Sequence, residues 1–186
     1  MKKRRKLLPK GRKSSHEINE LVPWEECFTD SSGKFRLRSK QGNYYFTVFG
    51  CGKTGDKIAI PHVKRKHFPL VYFEFSKRIG RHPKVLYSDL ASEITSSSFE
   101  RCLLVKGVNH INVPRGENHS IGVAEKAIQD LSNMMRCFLA DSNVPNIYWD
   151  FVIEHAALVN SMISPAICDK QKPYSKRFGG LFRTLI

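Results

Sequence analysis

The first twenty positions hold Lys, Arg and Ser, with Leu7, Leu8 and Ile18 as their bulky apolar residues. That pattern predicts an extended basic arm over 1–20, and a folded unit over 21–182. Within the unit, short apolar runs come first. Trp24 to Asp30 predicts a strand ending at Thr29-Asp30, and Ser31-Ser32-Gly33 a polar loop after it. Tyr44 to Phe49 is a second β-rich run, preceded by the turn-like Gln41-Gly42-Asn43. Lys57 to Val63 is a third, and Pro61 places it near a sheet edge because proline cannot donate to a ladder.

From Phe68 the period lengthens. Phe68, Val71, Tyr72, Phe75 and Ile79 follow helical spacing, with Pro69 in the first turn and Gly80 placed to end it. Lys84 to Ser88 is a compact strand that runs into Asp89. Phe99, Cys102, Leu103 and Lys106 predict a short helix closed by Gly107, followed by a strand over Asn109 to Val113. After the breaker-rich Pro114-Arg115-Gly116-Glu117-Asn118, two longer stripes appear. One is Ala124, Ala127, Ile128, Leu131, Met134, Met135 and Phe138; the other, after Pro145, is Trp149, Val152, Ile153, Ala156, Val159 and Met162. Both stripes are core faces. Strand and helix in this order predict an α/β domain with a mixed five-stranded sheet flanked by helices.

Composition agrees with a packed domain. The 186 residues include 41% apolar residues, 12 Phe and 6 Tyr, enough for a core. No stretch reaches the roughly 18 apolar residues of a membrane helix, and no apolar run follows the basic start as in a secretory signal. The expectation is a soluble, intracellular protein. Cys27, Cys51, Cys102, Cys137 and Cys168 are odd in number and never form a Cys-x-x-Cys pair, so reduced, mostly buried thiols are expected.

Charge changes the picture more. Net charge is +14, but residues 1–13 carry eight basic residues and no acidic one, leaving +6 for the rest. The run Lys2, Lys3, Arg4, Arg5, Lys6 suits a nuclear address or a phosphate-binding arm, and it also suits a solvated tail without a partner. Lys64, Arg65 and Lys66, with His62 and His67 among them, read as a basic loop rather than a metal ligand set. Gly52-Lys53-Thr54 looks like the end of a phosphate loop. However, Thr47 stands where the first glycine belongs, and the residues that follow read as strand, so no helix terminus cradles an anion.

The candidate chemistry is acidic. Asp30 and Asp89 both close apolar β-like runs, where a side chain leaves the core for a cleft. Glu125 follows Asp89 with 35 residues between them, beside rather than within its helix's apolar stripe. The segment Val85-Leu86-Tyr87-Ser88-Asp89-Leu90-Ala91-Ser92-Glu93 resembles the Ser-Asp-Asn-Gly-Gly-Glu segment of copia-type retrotransposon integrases. Ile121-Gly122-Val123-Ala124-Glu125-Lys126 is similar to their Asn-Gly-Val-Ala-Glu-Arg segment, and Phe28-Thr29-Asp30-Ser31-Ser32-Gly33-Lys34 to their first Asp segment. Val144-Pro145, Tyr148-Trp149, Ala156 to Asn160, Lys172-Pro173-Tyr174 and Phe178-Gly179 resemble the family's closing helix and tail. The likeness spans roughly residues 24 to 180, in order.

The resemblance implies a ribonuclease H-like catalytic core. Asp30, Asp89 and Glu125 would be its catalytic and metal-holding carboxylates, with two Mg²⁺ or Mn²⁺ ions as cofactor. Hard divalent cations take carboxylate oxygen and leave positions open for phosphate. It further implies a polynucleotidyl transferase that processes and joins DNA ends in the nucleus, or cytoplasm, as a homo-oligomer. The nucleic-acid contacts expected are Lys126, Lys64, Arg65, Lys66 and the Lys2–Lys6 run. Departures accompany it. Leu90-Ala91-Ser92 replaces Asn-Gly-Gly, Ala127 and Gln129 stand at commonly basic positions, and no His/Cys zinc module precedes Asp30. These point to a fragment, a degenerate copy or a domesticated derivative. The alternative from another class is a non-catalytic nucleic-acid-binding or interaction protein of integrase descent.

Overall fold

The structure is a computed structural model that describes residues 22–89, 97–113 and 119–163, together with Pro173. The basic arm, segment 90–93 after Asp89, loop 114–118 and the closing tail lie outside those residues, apart from Pro173.

The chain runs β1 (Glu26–Ser31), β2 (Tyr45–Cys51), β3 (Lys57–His62), α1 (Phe68–Ile79), β4 (Val85–Ser88), α2 (Ser97–Val105), β5 (Asn109–Asn112), α3 (His119–Asp141) and α4 (Trp149–Ile163). Single 3-10 turns at Arg65–His67 and Asn146–Tyr148 lead into α1 and α4. The five strands form one mixed sheet in the order β3-β2-β1-β4-β5, antiparallel across β1–β2–β3 and parallel across β1–β4–β5. β3, with Pro61, is an edge strand as expected.

Each face of the sheet has its own core. On one, Cys27, Phe49, Ile58 and Leu86 pack with Phe68, Tyr72 and Phe75 of α1 and Phe99 and Leu103 of α2. On the other, Phe46, Val48 and Ala59 pack with Ala127, Leu131 and Met135 of α3 and Trp149, Ile153 and Ala157 of α4. The first core is aromatic: Phe49 stacks on Phe75 at 4.1 Å between centroids, and Tyr72 meets Phe99 edge-on at 5.5 Å. Gly80 ends α1 at φ 73°, a left-handed conformation in which a β-carbon is strained, and its N–H bonds back to Ser76 and Lys77 carbonyls.

Four expectations need correction. β1 starts at Glu26 rather than Trp24, because Trp24 sits at φ 66° and cannot join a ladder while its indole packs edge-on to Phe75. Ser31 belongs to the strand rather than the loop, paired with Thr47, whose hydroxyl lies 2.8 Å from its own. His62 is not in a basic loop; it ends β3 and is buried. The thiols are mixed: Cys27 and Cys51 are buried, Cys102 is half-buried and Cys137 exposed.

Candidate functional site at the carboxyl ends of β1 and β4

Asp30 lies within the ladder, opposite Val48 of β2, and so faces the side covered by α3 and α4. β4 runs parallel to β1 with Phe28 against Tyr87 and Thr29 against Ser88. The pairing ends there, with Asp30 and Asp89 each the next residue along its own chain. Strand alternation puts Asp30 on the face of Phe28, while Asp89 follows directly after the last residue of β4. The paired Phe28 and Tyr87 rings stack at 5.0 Å. Each ring is two residues before its acid. That relation was visible in the sequence but unweighted, since nothing local says the two strands are neighbours.

Both carboxyls are half-buried. The Ser31 N–H donates to Asp30 Oδ1 at 2.7 Å, fixing that side chain, and one Asp89 oxygen is withdrawn from the surface. Behind Asp89, the Ser88 hydroxyl meets His110 Nε2 at 2.8 Å, tying β4 to β5. Burial pushes the His110 imidazole below its ordinary range, with Glu100 opposing the shift. A second polar chain braces β1. His62 Nδ1 lies 3.0 Å from the Lys64 carbonyl, which only accepts, so Nδ1 carries the proton. Nε2 then accepts from Thr47 at 3.0 Å, which leaves Ser31 to donate to Thr47. Sequence reasoning missed this chain, since its members are joined only by the register.

α3 lies against β1, β2 and β4. Ala124 and Ala127 are buried toward the sheet while Glu125 and Lys126 are exposed beside them. Glu125 therefore stands on the helix that covers the acids' face. Among the described residues no group of three His, Cys, Asp or Glu is gathered as a metal ligand set. Two carboxylates on neighbouring strand ends nevertheless match the oxygen donors a hard divalent cation prefers.

The expected nucleic-acid contacts differ among themselves. Lys126 is exposed but faces Asp130 at 3.5 Å, one turn on. Lys64 and Lys66 are exposed. Arg65 is drawn inward, donating to the Ser32 carbonyl at 3.4 Å and lying over the Tyr45 ring at 5.7 Å. Lys2 to Lys6 fall outside the described residues. The phosphate-loop lookalike Gly52-Lys53-Thr54 forms the β2–β3 hairpin turn, with no helix after it.

No protein-family model matches the chain. In sequence it is 27% identical over 160 residues to the retrovirus-related Pol polyprotein from transposon TNT 1-94 of Nicotiana tabacum, covering 83% of this chain. The chain spans 12% of that relative's length. In structure it is similar to the HTLV-2 integrase catalytic core domain in complex with magnesium, at TM-score 0.66 and 15% identity, covering 84% of this chain and 98% of that one. It is also similar to the simian T-cell lymphotropic virus intasome in complex with PP2A regulatory subunit B56 gamma. There the TM-score is 0.68 at 14% identity, over 89% of this chain and 58% of that one. The fold is that of retroviral integrase catalytic cores, and the sequence likeness to a transposon polyprotein agrees with the motif resemblance.

Proposed function

We propose that this chain is the catalytic core of a copia-type retrotransposon integrase, a polynucleotidyl transferase that trims and joins DNA ends. The observation that carries the reading is the parallel pairing of β1 with β4, which runs to Thr29 and Ser88, the residues just before Asp30 and Asp89, in a sheet covered by the Glu125 helix. The integrase-core fold and the transposon relative support it.

Asp30 and Asp89 would hold Mg²⁺ or Mn²⁺ between them, with Glu125 completing the set. When bound, a pair of such ions activates the attacking oxygen and stabilises the leaving one in an in-line displacement. The protein's part is positional. The Ser31 N–H and the Ser31–Thr47–His62 chain hold β1, and the Ser88–His110 bond holds β4, so the two carboxyls start at a set spacing. Water is the first nucleophile, at a phosphodiester near the element's end. The freed 3′-hydroxyl is the second, at target DNA, and no covalent enzyme intermediate forms. The basic run Lys2–Lys6 suits delivery to the nucleus, where target DNA lies.

The test is Mg²⁺- or Mn²⁺-dependent joining of a labelled DNA end, repeated with Asp89→Asn. Loss of an outer-sphere partner costs metal enzymes about 10–100-fold, so losing a direct ligand is expected to reduce joining at least about a hundredfold. Joining that survives Asp89→Asn sinks the site assignment. Absent joining with DNA binding retained favours a non-catalytic DNA-binding derivative.

A further inference from the structure

We propose that the loop joining β1 to β2, residues 33–43, is a preformed grip for the phosphodiester backbone of duplex DNA, made by Lys34, Arg36, Arg38 and Lys40. The inference rests on the reading of the chain as an integrase core and adds to it a contact surface.

Charge is the first observation. Between Asp30 and Asp56 the sequence contains five Lys or Arg and no acidic residue. Lys34, Arg36, Arg38 and Lys40 alternate along the loop and are all exposed. Among the described residues no carboxylate pairs with any of the four, whereas the exposed cations Arg78, Lys84 and Lys126 each face one. Two of them share an aromatic support: Lys34 Nζ lies 5.0 Å and the Arg38 guanidinium 5.9 Å from the Tyr44 ring centroid.

Rigidity is the second. The loop is anchored to the start of α4 by groups other than its charges. Trp149 donates to the Leu37 carbonyl at 3.0 Å, the Lys40 N–H to the Ile147 carbonyl at 2.7 Å, and Phe35 stacks on Trp149 at 4.3 Å. Beneath it the buried Asn43 donates twice, from its side-chain amide to the buried Asp150 carboxylate at 3.0 Å and from its backbone N–H to Ser39 Oγ at 2.9 Å. Gly42, at φ +90°, leaves room for Arg38, since a β-carbon there would lie 2.9 Å from its guanidinium. These anchors tie the loop to the body of the domain. Arg38 also donates to the Gly42 carbonyl at 3.3 Å, while all four cations stay exposed and face no carboxylate among the described residues, which is the arrangement a polyanion relieves by counterion release. An ordered loop also loses little entropy on binding.

Position selects the polyanion. The loop opens two residues after Asp30, at the carboxyl end of β1, and Arg65 bonds to its first carbonyl neighbour, Ser32. A duplex whose scissile phosphate lay at Asp30 and Asp89 would pass its flanking backbone over this loop.

The test uses the full chain and a short labelled duplex, with affinity measured across a range of KCl. Replacing Lys34, Arg36, Arg38 and Lys40 together by Gln is expected to weaken binding at least tenfold at low salt and to reduce the magnitude of the log–log salt slope by about one unit per contact. A paired variant, Lys34→Glu with Lys40→Glu, should weaken it further, and a urea midpoint unchanged from wild type shows that the fold persists. An unchanged slope overturns the grip. So does a variant that loses affinity for duplex RNA or polyglutamate but not for duplex DNA. If wild type joins DNA ends while the slope ignores the substitutions, this inference fails alone. If the slope falls but wild type never joins ends, the loop stands and the catalytic reading fails.

Discussion

The two ends of the sheet use acids in opposite ways. At the β2–β3 hairpin, Asp56 is wholly buried, accepts a hydrogen bond from Ser161 of α4, and sits beside Lys57, whose ammonium donates to Asn160 at 2.8 Å. Burial pushes Lys57 below its ordinary range, with Asp130 opposing that shift. This end is a strut that pins α4 to the hairpin. At the other end Asp30 and Asp89 are half-buried at the carboxyl ends of two neighbouring strands, where the Ser31 N–H donates to Asp30. An acid matched to a donor and sealed from water is a structural element. Asp30 and Asp89, half-buried where β1 and β4 end, are the acids that the proposed function assigns to a cation.

The sharpest way to break this contrast is stability. Asp56→Ala leaves the buried Ser161 hydroxyl without its acceptor and should lower unfolding free energy by about 3 kcal/mol. Asp30→Asn should stay within about 1 kcal/mol of wild type. Urea titration of both checks it, and equal losses would erase the distinction. A smaller effect should appear with pH. Burial holds the His62 imidazole below the ordinary value of about 6.5, despite its bond to the Lys64 carbonyl. As pH falls, the unfolded chain takes up a proton that folded His62 refuses. Its contribution is complete above about pH 6.5 and is lost as pH drops toward the folded value. The urea midpoint should therefore decline on the acid side, and less so in His62→Gln. His110 and His82 are shifted the same way by burial, so some decline persists in that variant. The smallest effect belongs to Arg78, which bridges α1 to Glu154 of α4 at 2.8 Å on a solvated surface. Arg78→Ala should cost under about 1 kcal/mol, and less in high salt.

Nearly all the elements were legible locally. The Phe68-Val71-Tyr72-Phe75 spacing with Gly80 behind it marked α1 to its final residue, and Pro61 marked the edge strand. The misjudged positions were those where a distant contact outweighs local preference. Trp24 gives up the strand to pack on Phe75, and Ser31 joins it through Thr47. The acids were legible as candidates from the residues around them, while the cations of the 33–43 loop were visible as composition and carried no assignment.

What the chain's own order determined is therefore the kind and succession of elements, because periodicity, glycine stops and proline act within a few residues. What only the tertiary structure decided is which residues meet. Asp30 and Asp89 are 59 positions apart, and one parallel pairing of β1 with β4 sets the strand ends that lead into them side by side. The basic loop gains its shape from Trp149, more than a hundred residues away. Register and packing are properties of the whole sheet, set by burying two cores at once, and no local window of sequence contains them.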